Sequence, residues 1–150
     1  MPPDPASDSP VLFAYDGSDH AKAAIEQASR ELRTGRPALV LTVWQPLQSM
    51  PFARLAVVPD DVAEAMREGA RETAAEGAEL ARAAGFDAKP LVEVGAPIWA
   101  SIVQVADDND AAVVVLGSHG RSGVSYLAMG SVATAVAHHT KRPVMITRMA

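Results

Sequence analysis

The residues with the strongest chemical character lie late in the chain, in Ala111-Ala-Val-Val-Val-Leu116-Gly117-Ser118-His119-Gly120-Arg121-Ser-Gly123-Val-Ser-Tyr-Leu-Ala-Met-Gly130-Ser131-Val132. An apolar run of strand character stops at Gly117. A polar, glycine-rich loop follows, and Gly130-Ser131 then opens another apolar, helix-forming segment. Glycines let a backbone approach a ligand closely, and a helix start leaves N–H groups without intrahelical partners. Together they make an anion-binding layout suited to phosphate. Spacing excludes two better-known phosphate loops. The pattern G-x-x-x-x-G-K-[ST] is missing, and no lysine occurs between Lys89 and Lys141. Gly117, Gly120 and Gly123 give G-x-x-G-x-x-G late in the chain, whereas a dinucleotide fingerprint is G-x-G-x-x-G after the first strand.

Five apolar runs must position this loop: Val11–Tyr15, Ala38–Trp44, Lys89–Val94, Ala111–Leu116 and Pro143–Thr147. Each reads as a strand, the first buried on both faces, the fourth the most apolar of all, and the third less uniformly apolar and so suited to a sheet edge. Between them the period changes to that of a helix. Ser18 is an N-cap, with Ala21, Ala24, Ile25, Ala28 and Leu32 on one face until Gly35 and Pro37 end the segment. Pro59–Ala84 is a long helix with Val62, Met66, Ala70, Ala74, Ala81 and Ala84 inward and Leu80 at the border. Glu64, Glu68, Glu72, Glu76 and Glu79 mark its wet side, with Arg67, Arg71 and Arg82 interspersed. Gly69 and Gly77 each cost about 1 kcal/mol against alanine there, and both close packing and a soft stretch are compatible with them. Pro97–Asp107 and Val132–His139 are shorter helices, the first with Ile98, Ile102, Val105 and Ala106 inward. Residues 45–58 show no clean period and contain Pro46 and Pro51, so they read as a long loop able to act as a flap.

Strict strand–helix alternation implies a five-stranded parallel sheet with helices on both faces, open and doubly wound through right-handed crossovers. The common order for five strands is 3-2-1-4-5. The first and fourth strands then lie side by side where the winding reverses, and ligands bind beyond their carboxyl ends. Two polar glycine turns meet at that point: Asp16-Gly17-Ser18 and the Gly117 loop.

Composition narrows the partners. The chain has 150 residues, 49% hydrophobic and 21% charged, which suits one globular domain over residues 10–150. A formal charge of -5 disfavours nonspecific nucleic-acid binding. Cysteine is absent, which excludes disulfides, thiolate metal sites and a cysteine nucleophile. Residues 1–9, rich in Pro, Ser and Asp, read as a disordered leader and not a signal peptide. No apolar run approaches the ~18 residues of a membrane span, so a cytoplasmic protein is expected. His138 and His139 are adjacent in a helix, which is poor metal geometry, and no other His or carboxylate cluster has ligand spacing. Trp44 and Trp99 read as core or pocket-wall residues.

The G-x2-G-x9-G-[ST] spacing of Gly117, Gly120, Gly130 and Ser131, with Asp16-Gly17-Ser18 after the first strand, resembles the ATP-binding branch of the universal stress protein family. The Val94-Gly95-x-Pro97 turn, the block from Asp110 to Gly123 and the closing Arg142-Pro143-Val144-Met-Ile-Thr add to the likeness, which covers about residues 9–148. The resemblance implies ATP as ligand, with Mg²⁺ through the phosphates. Gly117 and Gly120 would let the backbone approach the phosphates. Gly130, Ser131 and Val132 would hold the terminal phosphates with N–H groups and the Ser131 hydroxyl. Asp16 would face the sugar and base or act through a divalent ion, and both roles stay open. Val43 would flank adenine, Arg121 is a phosphate clamp candidate, and His119 is a further candidate for phosphate contact. A homodimer through Val144–Thr147, an edge strand with little charge, is also implied.

The residues supply no catalytic base, Walker lysine or carboxylate pair. The expectation is therefore a stress-response or regulatory protein that holds nucleotide with little or no fast turnover. The alternatives are a slow ATPase, since phosphoryl transfer needs mainly positioning and charge stabilisation, a nucleotide-transferring enzyme with a second pocket near 45–58, and a dimeric scaffold with an empty cleft.

Overall fold

Strands of four to eight residues, apolar except for the third, give the alternation β1 (Val11–Ala14), α1 (Asp19–Glu31), β2 (Pro37–Trp44), α2 (Asp60–Ala83), β3 (Asp87–Val94), α3 (Ile98–Asp108), β4 (Val113–Gly117), α4 (Ser131–His139) and β5 (Val144–Thr147). These elements come from a computed structural model that describes residues 8–46, 59–120 and 129–149. Most of the expected leader, most of the 45–58 loop and Arg121 lie outside the described residues. The five strands form one parallel sheet in the order β3-β2-β1-β4-β5. Among the described residues, no helix is long and apolar enough to cross a membrane.

Alternation along the strands sends side chains to two separate cores. Val11, Phe13, Tyr15 and Val40 pack with Ala21, Ala24 and Ala28 of α1 and Ala78 and Ala81 of α2. Leu12, Leu41, Val114 and Leu116 pack instead with Ile102, Val105 and Ala106 of α3 and Ala133 and Val136 of α4. Helices therefore cover both faces. β1 and β4 are buried on both sides, which explains their continuous apolar character.

The long helix corrects one expectation. Val62 and Leu80 are exposed, and the buried stripe of α2 is Ala70, Ala74, Gly77, Ala78 and Ala81. Its inward face is built from small residues because the sheet beneath carries the bulk. The two glycines differ. A Cβ on Gly77 would stand 2.6 Å from the Tyr15 ring and 2.7 Å from Val40, whereas nothing lies within 4 Å of one on Gly69. The Tyr15 hydroxyl, carried past Gly77, donates to Glu76 Oε1, so Glu76 is more than part of a solvated face. Pro59 is the N-cap of α2 and not its first helical residue.

Arg142 closes the far end of the sheet. Its Nε donates to Asp107 at 2.9 Å, and its Nη1 donates to Asp110 and to the Ala111 carbonyl, each at 2.9 Å. The bond to Asp107, then that to Asp110, raises the guanidinium further above its ordinary value. One side chain thus ties the end of α3, the entry to β4 and the entry to β5.

Candidate functional site

Where β1 and β4 end side by side, the chain must leave the sheet in opposite directions, and a cavity of about 520 Å³ opens between the departing segments. That volume is within the ~300–1,000 Å³ usual for small-molecule sites. From β2 come Leu41 and Val43, and from α3 come Ile98 and Ile102, making an apolar wall. Asp16, Ser118, His119, Gly120 and Ser131 supply polar groups from the β1 and β4 ends and the start of α4.

Asp16, Val43, Gly117, His119, Gly120, Gly130, Ser131 and Val132 all line this one cavity, although they come from positions far apart in the chain. Ile98 and Ile102, which the helical period marks only as inward, also form part of its wall.

Two helices begin at the cavity, and their first turns differ. In α1, Ser18 Oγ accepts from the Ala21 N–H at 3.2 Å, and Asp16 Oδ1 accepts from the Ser18 N–H at 3.0 Å. Asp19 adds a negative charge to that turn. This helix end is closed by its own side chains. In α4 the N-cap is Gly130, and among the described residues no side chain caps the turn and no acidic residue stands in it. The first intrahelical bond runs from Thr134 N–H to the Gly130 carbonyl at 3.0 Å, so the N–H groups of Ser131, Val132 and Ala133 precede the helical ladder. No acid within that turn offsets the partial positive end of the dipole. The arrangement suits an anion at α4 and not at α1.

The glycines have more specific structural tasks than an open loop requires. The Gly130 N–H donates to the Ser118 carbonyl at 2.6 Å, so this amide is committed and the donors facing a ligand begin at Ser131. A Cβ on Gly130 would lie 3.0 Å from that carbonyl. A Cβ on Gly117 would lie 2.9 Å from the backbone carbon and oxygen of His20, so its bareness lets α1 pack against β4. A Cβ on Gly120 would lie 2.8 Å from Asp16 Oδ2. The two glycine turns thus interlock across the switch point.

Two features of the site carry no signature in the sequence. Tyr15 lies on the cavity floor while its ring enters the α2 core. His20 sits in the first turn of α1 with its ring centroid 5.2 Å from that of His119. Its Nδ1 is buried without a hydrogen-bond partner among the described residues. Because α1's apolar period skips position 20, no helical pattern marks this residue. His139 lies elsewhere, stacked on Trp99 at a centroid distance of 4.0 Å. Among the described residues, no group of three or more His, Asp or Glu gathers as metal ligands.

The chain matches the family model described as the universal stress protein family over residues 9–148. It is 33% identical over 147 residues to a Thermus aquaticus universal stress protein in the QAH/OAS sulfhydrylase 3' region, covering 92% of this chain and 97% of that protein. Its fold is similar to the universal stress protein from Archaeoglobus fulgidus in complex with dAMP, with a TM-score of 0.64 and 25% identity, covering 93% of this chain and 98% of that one. A universal stress protein in complex with cAMP shares the fold with a TM-score of 0.65 at 24% identity, covering 96% of this chain and 99% of that one.

Proposed function

We propose that this chain, which belongs to the universal stress protein family, holds ATP in the cleft between β1 and β4 and turns it over slowly or not at all. The observation that carries the reading is the uncapped, acid-free first turn of α4 facing a cavity whose other wall is apolar. The complexes of relatives with dAMP and cAMP support a nucleotide as the ligand class.

In this reading the terminal phosphates lie against the N–H groups of Ser131, Val132 and Ala133, with the Ser131 hydroxyl as a further donor. Gly117, Gly120 and His119 form the rim past which the phosphates run, and Arg121 is assigned to the same anionic end. Adenine stacks on the apolar wall beside Val43, and Asp16 meets the ribose. Mg²⁺ would be held through the phosphates and would neutralise part of their charge. Asp16 Oδ1 is already engaged by the Ser18 amide, and among the described residues the cavity brings no second carboxylate beside it. In this reading holding the nucleotide is the principal activity.

The same reading includes a homodimer through β5. The edge strand β3 carries Asp87, Lys89, Pro90 and Glu93, residues that discourage strand addition, while β5 is Val-Met-Ile-Thr. A monomeric mass in sedimentation at micromolar concentration would contradict that part alone. Titration calorimetry with ATP and Mg²⁺, on protein stripped of copurified nucleotide by denaturation and refolding, tests the main assignment. Saturable one-site binding is expected, and no heat or retention at millimolar ATP would overturn it.

A further inference from the structure

We infer that His119 takes up a proton when an anionic nucleotide enters the cleft, and that Ser118 and His20 are the positioning residues that let it do so. This rests on the nucleotide reading above and deepens it by coupling the same site to proton concentration.

The geometry favours one histidine over the other as the proton's seat. His119 Nδ1 lies 3.0 Å from Ser118 Oγ, and a hydroxyl can donate to a bare nitrogen or accept from a protonated one. That hydrogen bond therefore survives either charge state. Ser118 is itself 2% exposed, its N–H donating to the Thr147 carbonyl and its carbonyl accepting from Gly130, so the hydroxyl is held in place. His20 is different. Its Nδ1 is buried with no partner among the described residues, and a proton placed there would bury an N–H with nothing to accept it. The His20 ring packs beside His119 with a centroid distance of 5.2 Å and a tilt of 51°.

The surrounding charges set the direction of the coupling. Asp16, Asp19 and Lys22 lie on the same chain segment as His20, and Glu76 of α2 pairs with Lys22 at 3.5 Å. β4 and β5 bring no titratable side chain, and Arg148 follows β5, its carbonyl accepting from Gln27 of α1 at 3.2 Å. Arg121 follows Gly120 in sequence, outside the described residues. Into this setting a nucleotide carries several negative charges to the cavity wall that His119 shares with the α4 start. An anion at that wall favours the imidazolium, and by linkage the imidazolium favours the anion.

The test is calorimetry of ATP–Mg²⁺ binding at pH 6.5 and 7.5 in pairs of buffers with different ionisation heats. Wild-type protein is expected to take up a fraction of a proton beyond that taken up by H119N and H119Q, which share the nucleotide's own titration but lack the imidazole. The wild-type affinity advantage over these variants should grow on acidification, by at most about tenfold per pH unit for one linked proton. H20A should lose part of the uptake and H20F should restore it, because phenylalanine keeps the ring and omits the nitrogen. Equal uptake in wild type and both His119 variants overturns the proposal while leaving nucleotide binding intact. Loss of uptake in H20F moves the proton to His20 and also overturns it. Absence of binding in every protein, wild type included, would refute the nucleotide reading itself.

Discussion

Two helices start at the same cavity, and only one of them is finished by its own sequence. α1 has a serine cap, an aspartate turn behind it and an acid in its first turn. α4 starts on a glycine with none of these. The first turn of α4 therefore keeps N–H groups that no side chain of that turn satisfies, and under the proposal above these are the groups a ligand would meet. In the proposed reading the same cleft separates stability from binding: the residues that close α1 serve the fold, and those that begin α4 would meet the anion.

Substitutions can break this comparison, and the largest effect is expected between the two helix ends. Gly117→Val would push a side chain into the His20 backbone, where a Cβ alone already stands at 2.9 Å. Backbone cannot give way as a flexible side chain can, so a loss of about 3 kcal/mol in stability is expected from denaturant unfolding. Wild-type stability in the Gly117→Val protein would show that α1 and β4 do not need this close approach. Asp16 belongs to both sides, as support for the α1 turn and as a wall of the cavity. Asp16→Ala should weaken ATP about tenfold, ~1.4 kcal/mol by calorimetry, with a smaller fall in stability. An unchanged Kd would limit Asp16 to the turn. Ser18→Ala sharpens the contrast from the other side. It should cost about 1 kcal/mol of stability through the lost cap and leave ATP affinity within about twofold. A large loss of affinity in that variant would mean that the α1 end also carries ligand.

Much of this organisation was legible in the residues. The alternation of Val, Leu and Ile runs with helical periods was enough for five strands, their order and the switch point, and most element ends moved by one or two residues. The glycine spacing and the Asp16 turn were legible for the same reason: their chemistry is local, and topology brings them together. α2 was harder. Alanine and glycine carry little hydrophobic signal, so the stripe from Ala70 to Ala81 was partly masked by the more apolar Val62 and Leu80, which are exposed. Gly69 and Gly77 are identical in sequence, and only the Tyr15 ring beneath one of them separates their roles. His20 left no trace because its significance is a long-range ring contact with His119. Which amide is free was also invisible, since the Gly130 N–H is taken by Ser118, a partner twelve residues earlier in the chain.

In the proposed reading the open first turn of α4 receives the phosphates of a nucleotide. Ser131→Asp tests it most directly, because Ser131 is exposed and an acid at the first helical position suits a helix on its own. Calorimetric titration with ATP and Mg²⁺, beside a thermal melt, should show affinity reduced at least ~100-fold by the like charge, with stability unchanged or slightly higher. Wild-type affinity in a folded Ser131→Asp protein would place the phosphates somewhere other than the α4 start.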